Sequence, residues 1–156
     1  MVRILALDVS TTATGWCLAD DDVYVASGVF KPHGDIWQRL HELSGLAHTS
    51  FYEPDSPQIE IVAFEEPRGN HGNMDTNIKL GYANGVVLAP WLAHGFEVLP
   101  VQIATIKRTG CNKTRQGRMV AASIAGKAEV SGDEADAIGC WLAAWAVIRE
   151  RELEAL

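Results

Sequence analysis

The chain has 156 residues, 47% of them hydrophobic and 21% charged, which is ordinary for a soluble globular protein with one stable core. No apolar run is long enough to span a membrane, the N-terminus lacks the order of a secretion signal, and Cys17, Cys111 and Cys140 are odd in number and widely spaced, which excludes a disulfide framework or a zinc site. The net charge of −7 argues against a polyanionic partner only if the charge is evenly spread; a single domain over 1–156 in a reducing cytoplasm is the expectation.

In chain order, "VRILALDV" (Val2–Val9) reads as a buried strand. "TATG" reads as a turn, with Gly15 supplying a permissive backbone. "WCLA" and "VYVASGVF" (Val23–Phe30) read as two more strands joined by the acidic turn Asp20–Asp22. Turns this close imply antiparallel pairing of the first three strands. From Asp35 to about Thr49 a helix is expected, since Ile36, Leu40, Leu43 and Leu46 recur at helical spacing. "IEIVAFEE" (Ile59–Glu66) is a fourth strand, stopped by Pro67 and followed by the loop "RGNHGN". A helical pattern then runs from about Met74 to Gly95, with a kink expected at Pro90. "FEVLPV" is a fifth strand, a basic helix covers about Lys113 to Ala125, and a last helix runs from near Gly132 to the C-terminus. Helices between strands three and four, and between four and five, imply crossovers, so strands four and five should run parallel to the first. The expected class is α/β: a five-stranded mixed sheet flanked by helices.

Acids stand in three places where the pattern expects apolar residues. Asp8 lies late in the first strand, Glu65 and Glu66 close the fourth, and Asp133, Glu134 and Asp136 open the last helix. Ser131 and Glu134 have the spacing of a capping box, and Asp133 suits the helix dipole. Asp136 is in line with Asp133, Cys140 and Ala143/Ala144, on the face that should meet the sheet, where a lone carboxylate is costly. Glu65 is in phase with Ile61 and Ala63, and Glu66 with Val62 and Phe64; both faces are apolar, so alternation does not choose between them. If the first and fourth strands are neighbours and the last helix crosses them, Asp8, one of the glutamates, Asp133 and Asp136 converge. Hard oxygen ligands without His or Cys companions then suit Mg²⁺ or Mn²⁺, commonly as a two-ion site. The other reading, strand-end and helix-start acids that never meet, stays open on spacing alone.

The charge is not evenly spread. Lys107, Arg108, Lys113, Arg115, Arg118 and Lys127 fall between Val98 and Ala128, a window without acids, which marks either a solvated basic helix or a surface for a polyanion.

"ILALDVSTTATGW", "IVAFEEP", "NIKLGYANGVVLAPWLAHG", "IKRTGCNKTRQGRMV" and "DEADAIGCWLAA" resemble, in order and spacing, the RuvC family of Holliday-junction resolvases, over nearly the whole chain. The resemblance implies an RNase H-like fold, a homodimer, and Mg²⁺-dependent nicking of paired strands at a four-way DNA junction. It places the metal-binding catalytic acids at Asp8, Glu65, Asp133 and Asp136, with Glu66 a spare, and two ions per site that Mn²⁺ can replace. It places the basic residues near the scissile phosphate at Lys107 and Lys113. Arg108, Arg115, Arg118 and Lys127 would add phosphate contacts, as would Arg68 and His71 in the loop after the glutamate. "KLGYANGVV" resembles the family's dimerisation helix, where Gly81, Gly85 and Ala89 align small residues on one face. The bland alternative is that this face packs on its own sheet. Bacterial members carry an aromatic shortly after the glutamate, which "EPRGNHGN" lacks; the abundant acids and small size look more like the phage-encoded type.

Three rival readings make different demands. A single-lobe relative of the actin and sugar-kinase superfamily would use "DVSTT" as a phosphate loop and bind ATP, whereas the nuclease reading needs no nucleotide cofactor. A branch-binding protein would hold junctions without cutting. A monomeric YqgF-type relative would show a polar exposed face on the Met74–Gly95 helix.

Overall fold

The computed structural model describes residues 1–49, 58–67 and 73–155. Three strands come first: β1 (Arg3–Asp8), β2 (Thr14–Asp20) and β3 (Val23–Phe30). They are followed by α1 (Ile36–Thr49), β4 (Ile61–Glu65), α2 (Met74–Ala93), β5 (Glu97–Val101), α3 (Ile103–Arg108), α4 (Arg115–Ala125) and α5 (Gly132–Glu154). The sheet order is β3-β2-β1-β4-β5. β1 pairs antiparallel with β2 and parallel with β4, β2 pairs antiparallel with β3, and β4 pairs parallel with β5. This is the expected five-stranded mixed sheet, with helices on both faces.

Alternation along the strands divides the core. Ile4, Ala6, Ile61 and Ala63 face a cluster that includes Ile138, Trp141 and Ala144 of α5. Leu5, Leu7 and Val62 face the opposite cluster, built on Leu40 and Leu43 of α1 and Ala83 and Val87 of α2. α5 packs against β2, β1 and β4, so its first turn arrives above the C-terminal ends of β1 and β4. Trp141 anchors the crossing: it is buried, and its Nε1 donates to the Asp21 carbonyl at 3.0 Å. Asp21 occupies the left-handed region at φ 53°, which aspartate tolerates in the tight β2–β3 turn.

Three details differ from the sequence reading. Thr14 and Gly15 belong to β2 rather than to a turn, and Gly15 does not have a positive φ. The turn is made by Ser10, whose hydroxyl donates to the Ala13 carbonyl at 2.6 Å and accepts from the Ala13 amide at 3.1 Å. α3 was not expected; it spans six residues, too few to show a period, and Gln102 at its N-cap makes no side-chain cap bond. α2 continues through Pro90 into its last turn, which the His94 amide closes by donating to the Pro90 and Trp91 carbonyls. The "RGNHGN" loop lies outside the described residues up to Asn73, whose side chain caps α2 by accepting from the Asp75 amide at 3.0 Å. Among the described residues no helix is long and apolar enough to cross a membrane.

Candidate active site

β1 and β4 are parallel neighbours, with Leu7 beside Phe64, so Asp8 and Glu65 leave the sheet together at its C-terminal edge. Both continue the rows that face α5: Asp8 after Ile4 and Ala6, Glu65 after Ile61 and Ala63. α5 brings Asp133 and Asp136 down on the same edge. All four carboxylates line one pocket of about 620 Å³, with Lys107 from the last turn of α3 and Lys113 from the α3–α4 connection on its wall. Glu66 is exposed and does not line it. The choice that alternation left open therefore falls on the α5 side, at Glu65.

The charges feel one another. Burial, followed by the fields of Glu65, Asp136 and Asp133, pushes the Asp8 carboxyl up to about 8, with Lys113 pulling the other way. Burial also raises Asp136, opposed by the Lys113 side chain and by its backbone amide, which donates to Asp136 Oδ1 at 3.1 Å. As the side chains stand, no three His, Cys, Asp or Glu groups among the described residues close on one point tightly enough to hold an ion. The carboxylates share a pocket and a field, not a finished coordination sphere. The donor set nevertheless fits a hard divalent cation. All the acidic donors are oxygens, and a cation would relieve the repulsion that burial intensifies.

Gly15 makes the approach of α5 possible. It stands opposite Asp8 across the β1–β2 pair. A Cβ there would lie 1.9 Å from the Asp133 carbonyl oxygen, a backbone atom that cannot swing aside. The glycine is needed for space at the carboxylate cluster, not for a turn. Gly15→Ala should therefore lower stability by about 1–3 kcal/mol in a urea titration, because the first turn of α5 must lift; an unchanged midpoint would show that α5 does not need this contact.

The first turn of α5 is held a second way. Ser131 Oγ accepts from the Glu134 amide at 3.1 Å, and the Ser131 backbone amide donates back to the Glu134 carboxylate, the expected capping box. The carboxylate is also buried against Ser27 Oγ at 2.6 Å and Lys127 Nζ at 2.5 Å, while Lys127 donates to the Ser27 carbonyl at 2.8 Å. Burial opposes ionisation of Glu134, but the bonds from Lys127 and Ser27 outweigh it and hold the carboxyl below its ordinary value. Lys127 thus departs from the expected phosphate contact: it pins α5 to β3.

Arg108, Arg115 and Arg118 are exposed around the pocket's α3–α4 side. Arg68 and His71 lie outside the described residues. On α2, Ala83, Asn84, Val87, Leu88 and Trp91 are buried, while Gly81, Gly85 and Ala89 face outward with open space beyond Gly81 and Gly85. The small-residue face does not pack on its own sheet. Its surroundings are apolar: Ile78 is 46%, Tyr82 50% and Leu92 60% exposed. Sequence reasoning missed Asn84, a buried polar residue that lines the pocket.

A mixed sheet with only β2 reversed, acids at the ends of its first and fourth strands, and a helix that crosses them with two more is the arrangement of an RNase H-like nuclease. Comparison with known proteins narrows this. No protein-family model matches the chain. The crossover junction endodeoxyribonuclease RuvC of Acidiphilium cryptum is 33% identical over 149 residues, covering 87% of this chain and 86% of its own length. The RuvC of Gluconobacter oxydans is 30% identical over 149 residues, covering 88% and 86%, and that of Methylococcus capsulatus 26% over 150 residues, covering 89% and 87%. The structure of T. thermophilus RuvC in complex with a Holliday junction substrate superposes with a TM-score of 0.73 at 18% identity, covering 96% of each chain, and carries the same fold. The chain belongs to the RuvC family of crossover junction endodeoxyribonucleases. These relatives are bacterial, and they lend no support to the phage type.

Proposed function

We infer that this RuvC-family chain is an endonuclease that resolves Holliday junctions, with Asp8, Glu65, Asp133 and Asp136 as its divalent-cation site. The observation that carries this is the meeting of four carboxylates, from three distant stretches of sequence, in one pocket walled by two lysines. The rival phosphate-loop reading loses its main feature, because the Ser10 hydroxyl is spent on its own turn. Mg²⁺, two ions per site with Mn²⁺ able to replace it, suits the donors, and when bound such ions activate water and stabilise charge on the attacking and leaving oxygens of a phosphodiester.

The chain's own residues supply the rest. Asp8 and Glu65 are fixed by adjacent strands and Asp133 and Asp136 by one helical turn, so the four oxygen donors are held on a rigid frame. Lys113 places positive charge beside the scissile phosphate, and Lys107 holds the backbone. Arg108, Arg115, Arg118 and Arg68 add phosphate contacts that weaken with salt. The products are 5′-phosphate and 3′-hydroxyl ends.

Two such sites are needed to cut paired strands at a branch. The outward face of Gly81, Gly85 and Ala89, ringed by exposed apolar side chains, supports a homodimer rather than a monomeric relative, whose face would be polar. Gly85→Arg should convert the dimer to monomer in sedimentation and remove coordinated paired nicking; a dimer that persists places the interface elsewhere. The three free, buried cysteines and a single nuclease domain over 1–156 fit a reducing cytoplasm.

The assignment of the glutamate is tested directly. On a synthetic four-way junction in Mg²⁺, Glu65→Gln should reduce nicking by about a hundredfold or more, and Glu66→Gln by less than about fivefold, since only Glu65 lines the pocket. The reverse order would overturn it.

A further inference from the structure

Leu80 and Asn84 lie one turn apart on α2, and both line the carboxylate pocket. Leu80 is an ordinary apolar wall. Asn84 is not: it is only 6% exposed, its Nδ2 donates to the Leu80 carbonyl at 2.9 Å, and its Oδ1 is buried with no donor among the described residues. The bond to a carbonyl fixes the amide's orientation, because only its NH₂ end can donate there. Oδ1 is the end left over. A buried acceptor without a donor costs stability, and a leucine of the same shape would fill the place without that cost.

The chemistry of the pocket narrows what the missing donor is. Ionised Asp8, Glu65, Asp133 and Asp136 only accept, and so do the oxygens of a phosphodiester. Lys107, Lys113, Asn112 and Thr114 also line the pocket and carry donor groups, but none of them donates to Oδ1. A hydrated divalent cation presents outward O–H groups, and Mg²⁺ bound by carboxylates keeps several of its waters. The amide is pinned to the helix by Leu80, so it serves best as an acceptor behind the carboxylates, not as one of the ligands themselves.

We propose that Asn84 Oδ1 accepts a hydrogen bond from the hydration shell of the divalent cation in the carboxylate pocket, which makes Asn84 a positioning residue for that cation. The proposal rests on the reading of Asp8, Glu65, Asp133 and Asp136 as the cation site. It assigns to α2 a second task besides the outward face: the inner side of the same helix tunes the metal.

The test measures Mn²⁺ binding to the full chain without DNA, by the enhancement of water-proton relaxation. Asn84→Leu keeps the shape and removes the acceptor. It should weaken Mn²⁺ binding about 10- to 100-fold while leaving the melting temperature of the cation-free protein unchanged or higher. Asn84→Asp keeps an acceptor and should bind Mn²⁺ at least as tightly as the unchanged chain. Wild-type affinity in Asn84→Leu, or an Asn84→Asp variant as weak as Asn84→Leu, would overturn the proposal. Should Asn84→Leu not fold, Asn84→Ala removes the same acceptor with less bulk and is read the same way. Asp8→Asn separates the two levels: it should abolish Mn²⁺ binding if the site is right, and binding that ignores Asp8 would overturn the site and the role of Asn84 together.

Discussion

Asp8→Asn is expected to bind a synthetic four-way junction in Ca²⁺ as well as the unchanged chain does, and to nick it in Mg²⁺ about a thousandfold more slowly or not at all. A thousandfold corresponds to about 4 kcal/mol of lost transition-state stabilisation. The expectation follows from position. Asp8 ends the central strand of the sheet, between Gly15 on one side and the β4 strand carrying Glu65 on the other, so no other oxygen can take its place. Binding survives because the exposed arginines of α3 and α4 are untouched, and removing a negative charge does not weaken the hold on a polyanion. Cleavage by Asp8→Asn at the unchanged rate would remove the basis of the cation site.

The same substitution should stabilise the protein when divalent cations are removed. Burial and three neighbouring carboxylates raise Asp8 to about 8 in the folded chain, against an ordinary value of 3.8. Below about pH 4 both folded and unfolded states hold the proton, and Asp8 adds no penalty. As pH rises from 4 to 8, the unfolded chain releases the proton while the folded chain keeps it, so folding stability falls; above 8 the loss is complete. Asparagine avoids this. In urea titrations with a chelator, the advantage of Asp8→Asn should be near zero at pH 4 and grow to the order of a few kcal/mol at pH 8. Added Mg²⁺ should restore the unchanged chain and do little for the variant. An advantage that does not change with pH would mean that the four charges do not share a field.

Much of the fold was legible because its signals are local. Close turns set the antiparallel strands, and helices between strands three, four and five set the parallel ones. Asp8 was legible as a charge in a strand of core residues, and Asp136 as a charge on a helix face that had to meet the sheet. The choice between Glu65 and Glu66 was not, since Ile61 and Ala63 face one apolar cluster and Val62 the other, and only the position of α5 distinguishes them. Gly15 carried a misleading local signal: small residues beside Ser and Thr suggest a turn, whereas its requirement is the descent of a helix from more than a hundred residues further along the chain. Lys127 was misread for the same reason. Its basic neighbours suggested DNA, but its partners are Ser27 and Glu134, brought together by the fold. Asn84 left no signal at all in a helix rich in small residues.

Whether this carboxylate pocket cuts branched DNA is decided by strand-resolved analysis of a synthetic four-way junction beside a linear duplex of the same arms. Paired, symmetric nicks at the junction in Mg²⁺, binding without nicks in Ca²⁺, and an untouched duplex are expected. An intact junction in Mg²⁺, or a duplex cut as readily as the junction, would contradict the assignment.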